Sequence, residues 1–526
     1  MPFLLRNISL NLGEDDDLLP DRLMARFSLA PDELVGFCVL RKAIDARKKP
    51  HIKFIYTIEF TLADEEGFWR QHCQDQDIEI APPKRQPLFT KPGHDRRIMI
   101  VGMGPAGIFA GLRLAEYGLT PTILERGNPV SERVKDITSF WQKGVLNPES
   151  NVQFGEGGAG TFSDGKLTTR VRDLNSGYVL GKLVQFGAPR EILYLAKPHI
   201  GTDRLRHVIV NIRRHLEDCG LVIRFHEKLT DMITTGDRLR SVVINDRSEE
   251  LCDILLLAPG NSARDTYSML ERRGIMLERK PFAVGVRVEH PQELINRIQY
   301  GLAGHPQLPA ADYALTWNDS RTGRSAYSFC MCPGGVVIAA ASEQGGMVTN
   351  GMSDYHRNSP CANSALVVTV GKDDFPGDSS LAGVEFQRTL EREAFIAGGS
   401  DYRAPAQNLM AFLGEKGTYR ITSTYRPGVV EADLSLLFPD YVVDTLRKGI
   451  RSFDRKMRGF ITAEATLTGV ETRTSAPVRI IRGEDLQSPV LRGLYPVGEG
   501  AGYAGGIMSS ALDGIRAADA IAGSLV

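Results

Sequence analysis

The sequence predicts an α/β protein in three parts: a dinucleotide-binding α/β domain, a β-rich insertion that interrupts it, and a small α+β domain ahead of both. Three observations predict this. The apolar run ending at Val101 enters the turn Gly102-Met103-Gly104-Pro105-Ala106-Gly107, and a second apolar run, Pro121 to Leu124, closes on Glu125. Strand, G-x-G-x-x-G turn, helix and acid-ended strand make a Rossmann-like unit. Strand-rich sequence then runs from Phe282 to about Phe460, and a further glycine-rich turn, Gly498-Glu499-Gly500, comes only near the carboxyl end. The expected layout is 1–90 for the small domain, 96–281 and 461–526 for the two parts of the dinucleotide domain, and 282–460 for an inserted substrate or cap domain.

In the first part, Leu4 to Leu12 alternates Ile8, Leu10 and Leu12 against Asn7, Ser9 and Asn11, the period of a half-buried strand. Asp17 to Phe27 reads as a short helix, Phe37 to Ala46 and His51 to Thr61 as two strands joined by a basic turn, and Ala63 to Cys73 as a second helix. Ala81-Pro82-Pro83-Lys84-Arg85-Gln86-Pro87 and Lys91-Pro92-Gly93 form a stiff polar connector, because proline can continue neither a helix nor a central strand.

Each glycine of the first turn has its own task. Gly102 permits the tight turn, Gly104 lets a pyrophosphate approach the backbone, and Gly107 lets a helix over roughly 105–117 pack on the sheet. The helix start, with Pro105 and Ala106, then faces an anion. Beyond Arg126 lies the glycine-rich stretch 151–167, which includes Gly158, Gly160 and Thr161 and suits a path along a flat polar ligand. A helix over 204–219, a strand over 221–225 and a hairpin over 229–245 follow. Cys252 to Leu257 then forms a strand ending in Ala258-Pro259-Gly260, a second turn for the same ligand, before a helix over 264–273.

In the insertion, 283–289, 314–318, 324–332 and 336–341 read as strands, and 380–398 and 439–449 as helices. The return, 493–514, supplies a short strand, the turn at Gly498 and Glu499, and a helix whose start at Gly506 and Ile507 can meet a cofactor.

Composition excludes several classes. With 42% hydrophobic residues, 24% charged residues and a net charge of -1, the chain has the balance of a folded protein and no global pull toward nucleic acid. The amino end lacks the basic and apolar regions of a signal peptide, and no apolar run is long enough to span a bilayer, so no membrane partner and a cytoplasmic location are expected. Seven scattered cysteines make neither a disulfide framework nor a metal site; Cys330 and Cys332 are one residue apart, not the two of a C-x-x-C pair.

An acid after the first turn suits NAD or FAD, and the terminal Gly-Glu-Gly segment favours FAD, whose ribityl chain needs a further partner. These turns, with Ala258-Pro259-Gly260, resemble those of the two-dinucleotide-binding-domain flavoprotein superfamily. More narrowly, Phe162 to Leu167, Phe329 to Gly335, Asn350 to Ser353 and Glu471 to Pro477 resemble the FAD-dependent dehydrogenase family of bacteria along nearly the whole chain. The resemblance implies that Gly102, Gly104, Gly107, Glu125 and Arg126 meet the adenosine diphosphate half, that Glu499 reaches the ribityl or pyrophosphate region, and that Gly506 and Ile507 lie near the flavin ring. Glu499 stands where relatives commonly carry aspartate.

The expected activity is that of an FAD-dependent oxidoreductase moving a hydride to or from a small or medium organic substrate, with NADH or NADPH a candidate transient reductant. Lys166, Arg170, Arg473 and Arg357 are candidates to hold an anionic substrate. His356 is a candidate acid or base and Cys332 a candidate thiol. Two alternatives stand beside this reading. The basic segment 41–51 suggests an RNA-modifying flavoprotein, and the small first domain suggests a flavin redox sensor or scaffold that docks a protein partner.

Overall fold

The structure is a computed structural model that describes residues 1–82, 89–93 and 96–525. Residues 83–88 of the connector expected between the first two parts lie outside the described residues. Four antiparallel strands open the chain, side by side in the order Leu34–Asp45, Lys53–Leu62, Phe3–Asn11, Ile78–Ile80. Every second side chain of Lys53–Leu62 is buried, and Phe54, Tyr56, Ile58 and Phe60 pack with Phe3, Leu5 and Leu10 against Leu19, Leu23 and Phe68 of helices Leu19–Phe27 and Glu65–His72. The sheet docks by its backbone: Lys42 N–H donates to the Tyr194 carbonyl at 2.7 Å, and Ala196 N–H to the Lys42 carbonyl at 2.9 Å.

A five-stranded parallel sheet forms the centre, in the order Leu494–Pro496, Ile254–Leu257, Ile98–Val101, Thr122–Glu125, Val222–Phe225. Both faces are covered, which is why Ile98–Val101 and Ile254–Leu257 read as unbroken apolar runs. Ile98 and Ile100 pack toward helices Pro105–Glu116 and Ile507–Ser524, while Met99 and Val101 pack toward a three-stranded antiparallel sheet, Leu229–Thr235, Arg238–Ile244 and Ser248–Leu251, and helix Arg264–Arg272. A carboxyl-terminal strand thus completes a sheet begun some four hundred residues earlier.

The strand-rich part is a seven-stranded sheet in the order Thr316–Asn318, Ser325–Cys332, Cys361–Val370, Phe282–Pro291, Thr466–Glu471, Ala404–Asn408, Val429–Glu431. Two corrections follow. Thr466–Glu471 pairs with Phe282–Pro291, so this sheet runs past the boundary expected at residue 460. The helix expected over 439–449 runs Asp440–Lys456, because Val442, Leu446, Ile450 and Phe453 keep one buried face going. Leu277–Arg279 and Val478–Ile480 pair antiparallel where the chain crosses between the two sheets. Helices Val130–Lys143, Ser176–Gln185 and Gln292–Tyr300 were not foreseen. Among the described residues no helix is long and apolar enough to cross a membrane, and no cluster could hold a metal ion.

Candidate functional site

One cleft opens at the carboxyl ends of the parallel strands, where Ile98–Val101 and Ile254–Leu257 both run into turns. The first turn is fixed by sterics. Gly102 has φ +97°, and a Cβ there would sit 2.1 Å from the Ala258 carbonyl oxygen; a Cβ on Gly107 would sit 1.9 Å from that of Gly102. Only glycine fits either position. Gly107 is therefore a packing residue and lies off the cleft wall.

Other glycines are open instead. Gly104 lines the cleft, and the nearest atom to a Cβ built there is the Gly158 Cα at 3.8 Å. At Gly260 (φ +77°) and Gly506 (φ +96°), also on the wall, a Cβ would meet nothing within 4 Å. This is the space a ligand's backbone-hugging phosphate and ring atoms need, so the residues present fit a dinucleotide. Helices Pro105–Glu116 and Ile507–Ser524 begin at Gly104 and Gly506 with no side-chain caps. Their crossing is tight, since a Cβ on Gly514 would lie 2.1 Å from the Ala106 carbonyl oxygen. Close packing thus brings two positive helix ends to one cleft. Pro105, Ala106, Gly158, Gly160, Gly498 and Ile507 line it as well, and a Cβ on Gly160 would be 3.0 Å from Ile507 Cγ1. Thr161 is buried behind the wall, its carbonyl accepting from Thr202 Oγ1 at 2.7 Å.

Glu125 lines the cleft and also ties three loops together. Its Oε1 accepts from Gly127 and Gly155 N–H and its Oε2 from Met103 N–H, each at 2.9 Å. Arg126 stacks 4.1 Å over Phe154 and pairs with Glu149 and Asp265.

Sequence reasoning missed the residue that shapes the glycine-rich wall. Arg133, on Val130–Lys143 and fully buried, donates to the carbonyls of Asn151, Val152, Gly155, Glu156 and Gly158 at 2.7 to 3.2 Å. Burial pulls its pKa down to about 9, which leaves it charged at neutral pH with five carbonyl dipoles in place of water. Glu156, itself buried, accepts from Val130 N–H at 2.7 Å and Arg213 Nε at 2.8 Å, and burial pushes its carboxyl up. A single arginine on a helix carries no sequence mark of this role.

Glu499 closes the carboxyl-terminal side. Half-buried, it accepts from Asn261 Nδ2 at 3.0 Å and Gly506 N–H at 3.3 Å. Burial pushes its carboxyl up, opposed by the Gly506 N–H and by the charge of Lys280.

Across the cleft stand Phe329, Cys330, Asn350, Glu471 and Arg473 of the strand-rich part. Arg287 lies beneath them, fully buried, and donates to Glu471 at 2.9 and 3.0 Å and to Asn363 Oδ1 at 2.8 Å. Burial opposes its charge, but Glu471 outweighs burial and raises its pKa.

The expected anion-binding set does not assemble. Arg473 reaches the cleft, yet its guanidinium is held by Glu391 at 2.8 and 3.0 Å and by Ser262 and Ser342. Glu391 is shared with buried Arg264, and these two guanidiniums hold its carboxyl far below the usual range despite burial. Arg357 forks onto Asp164 at 2.5 and 2.9 Å, and Lys166 donates to the Met331 carbonyl; neither lines the cleft. Arg170 is exposed away from it, and His356 is exposed beside Tyr355. Of the cysteines, the candidate thiol Cys332 is buried behind the wall, and Cys330 faces the cleft. In the basic segment, Lys42 pairs with Asp16, Arg47 with Asp45, and Lys49 Nζ donates to the Ile298 carbonyl, so much of its charge is already partnered.

Comparison with known proteins bears on this cleft. A family model described as FAD-dependent protein, C-terminal domain-like, matches residues 281–474, and a domain of unknown function, DUF8436, matches residues 4–61. A Clostridium beijerinckii protein described as uncharacterized is 46% identical over 528 residues, 99% of this chain and 98% of that protein. Among solved structures, the flavin-dependent brominase Bmp2 is 13% identical with a TM-score of 0.37, covering 82% of this chain and 79% of that one. CtdE in complex with FAD is 10% identical with a TM-score of 0.30, covering 81% and 84%. The family match makes FAD the cofactor of this chain.

Proposed function

Because the chain belongs to the family of its Clostridium beijerinckii relative, we propose that both proteins are FAD-dependent oxidoreductases that move a hydride between an organic substrate and FAD held in this cleft. The observation that carries the reading is that both glycine turns, 102–107 and 498–506, and the side chains Phe329, Cys330 and Asn350 line one cleft. FAD supplies the two-electron chemistry, and the protein supplies binding, orientation and charge.

In this reading the parallel sheet is a Rossmann-like unit of the two-dinucleotide-binding type. The helix starts at Gly104 and Gly506 would face the pyrophosphate and the ring's most electron-rich edge. Glu125 Oε2, which accepts one backbone N–H, keeps lone pairs for a ribose hydroxyl. Asn261 and Glu499 would meet the polar chain between ring and pyrophosphate. Substrate would dock against Phe329 and Asn350, with water excluded by the wall that Arg133 organises. Arg473, saturated by Glu391, Ser262 and Ser342, would fix the wall's shape and leave a neutral or weakly polar substrate favoured over a free anion.

Anaerobic reduction of purified protein tests this. Bleaching of the flavin by NADH, NADPH or one member of a metabolite panel, followed by reoxidation with an organic acceptor, is the expected result. Flavin that neither bleaches with any donor nor reoxidises with any acceptor would refute hydride transfer while leaving FAD binding intact.

A further inference from the structure

We propose that Cys330 and Cys332 form a dithiol–disulfide couple that exchanges an electron pair with the FAD of the cleft, an inference that rests on the flavin reading above. Cys330 lies on the cleft wall, and Cys332 is buried directly behind it.

The backbone between them is distorted. The pairing of Ser325–Cys332 with Cys361–Val370 breaks register between Phe329 and Cys332, and Cys330 has φ +44°. A non-glycine residue in that region is strained, and such bulges re-aim side chains at sites. The distortion has a chemical consequence. In a regular strand, residues two apart are separated by about 6.6 Å, at the upper edge of what a disulfide spans. Curling the chain at Cys330 shortens that span, and the Cys332 thiol turns back toward Cys330, donating to its carbonyl at 3.5 Å. Facing Cys332 is Gly351, where a Cβ would lie 2.9 Å from the Cys332 sulfur and 2.3 Å from Arg287 Nη1, so any larger residue would push into this pair.

The charges around the pair divide the two roles. Arg287 donates from Nη1 to the Cys330 carbonyl at 3.2 Å, and Lys166 donates to the next carbonyl, that of Met331; Glu471 and Asp164 are the acids nearby. Cys332 beside it lowers the pKa of Cys330, helped by Arg287 and Lys166, and Cys330 in turn, with burial, raises that of Cys332. Cys330, on the cleft wall with Arg287 and Lys166 at its own and the next carbonyl, takes the role of the thiolate that meets the cleft, and Cys332, buried behind it, that of the resolving thiol.

The step balances without a further reagent. An S–S bond forms between Cys330 and Cys332, Cys332 loses its proton, and the electron pair released goes to FAD, which takes up that proton and one from solvent to become FADH2. The reverse step opens the disulfide and returns FAD.

Reductive titration of oxidised, FAD-loaded protein under anaerobic conditions tests the couple. The native chain should consume twice the reducing equivalents per FAD that Cys330→Ser or Cys332→Ala consumes. Mass spectrometry gives a readout independent of the flavin: in FAD-free as in loaded protein, mild oxidation should leave the peptide carrying both cysteines two hydrogens lighter and closed to alkylation until reduced. Yellow native protein that takes up a single electron pair per FAD overturns the inference alone, whether or not the variants fold. Alkylation of both cysteines after oxidation does the same. Protein that takes up no FAD overturns the flavin reading and this inference together.

Discussion

Replacing Gly104 and Gly107 separately by alanine distinguishes a glycine kept for a ligand from one kept for the fold. At Gly104 the backbone is extended, with φ -83° and ψ -176°, which any residue adopts, and the new methyl would lie 3.8 Å from the Gly158 Cα, an ordinary contact. Alanine is a poorer helix cap than glycine by several tenths of a kcal/mol, and restricting the unfolded chain returns about 0.4–1 kcal/mol. Gly104→Ala should therefore change the stability of FAD-free protein by less than about 1 kcal/mol. Its methyl enters the space left for the pyrophosphate, and overpacking of that kind costs about 1–3 kcal/mol, which is about 5- to 150-fold in the Kd for FAD. At Gly107 the methyl would fall 1.9 Å from the Gly102 carbonyl oxygen, so the helix must shift. Gly107→Ala should destabilise even FAD-free protein by about 3 kcal/mol or more. Urea denaturation gives the stabilities and quenching of FAD fluorescence gives the affinities. Unchanged FAD affinity in Gly104→Ala would refute the placement of phosphate at this turn.

Arg133→Met should lower stability by about 3–5 kcal/mol, because it strands five carbonyls and leaves Glu156 a charge short; urea denaturation measures it. Arg287→Met should cost a similar ~3–5 kcal/mol by leaving Glu471 buried without its partner, and the double variant with Glu471→Leu should recover most of that loss in the same assay. Glu499 has a folded-state pKa raised above its unfolded value, so its contribution to stability is fully present below the unfolded pKa and is lost as pH rises through the folded one. FAD-free Glu499→Gln should accordingly gain on the native chain as pH rises from acid to neutral; a difference in melting temperature that is flat with pH would contradict this.

How much of this was legible in sequence depended on how local each cause was. Gly102 and Gly107 were readable because one short turn contains both the demand and its solution, and Glu125 because a strand end fixes its place. The strands 98–101 and 254–257 were readable because burial on both faces leaves unbroken apolar runs. Arg133 was not readable, since its five acceptors come from a loop eighteen or more residues on that has no regular pattern. The anion-binding set failed for the same reason: Arg357 and Arg473 meet Asp164 and Glu391, acids 193 and 82 residues away, whose positions only the fold decides. That Cys330 rather than Cys332 reaches the cleft wall was not readable, because the bulge between Phe329 and Cys332 that decides it has no residue signature. The boundary near residue 460 came too early because Thr466–Glu471, though buried throughout, opens on threonines that read as polar.

All of this requires a single FAD between the glycine turns at 102–107 and 498–506. Denaturing gently purified protein and quantifying the released flavin by chromatography and mass tests it most directly. One FAD per chain is expected, recovered on reconstitution by the native protein and weakly by Gly104→Ala. Well-folded, colourless protein that releases no flavin and takes up none when FAD is added would contradict it.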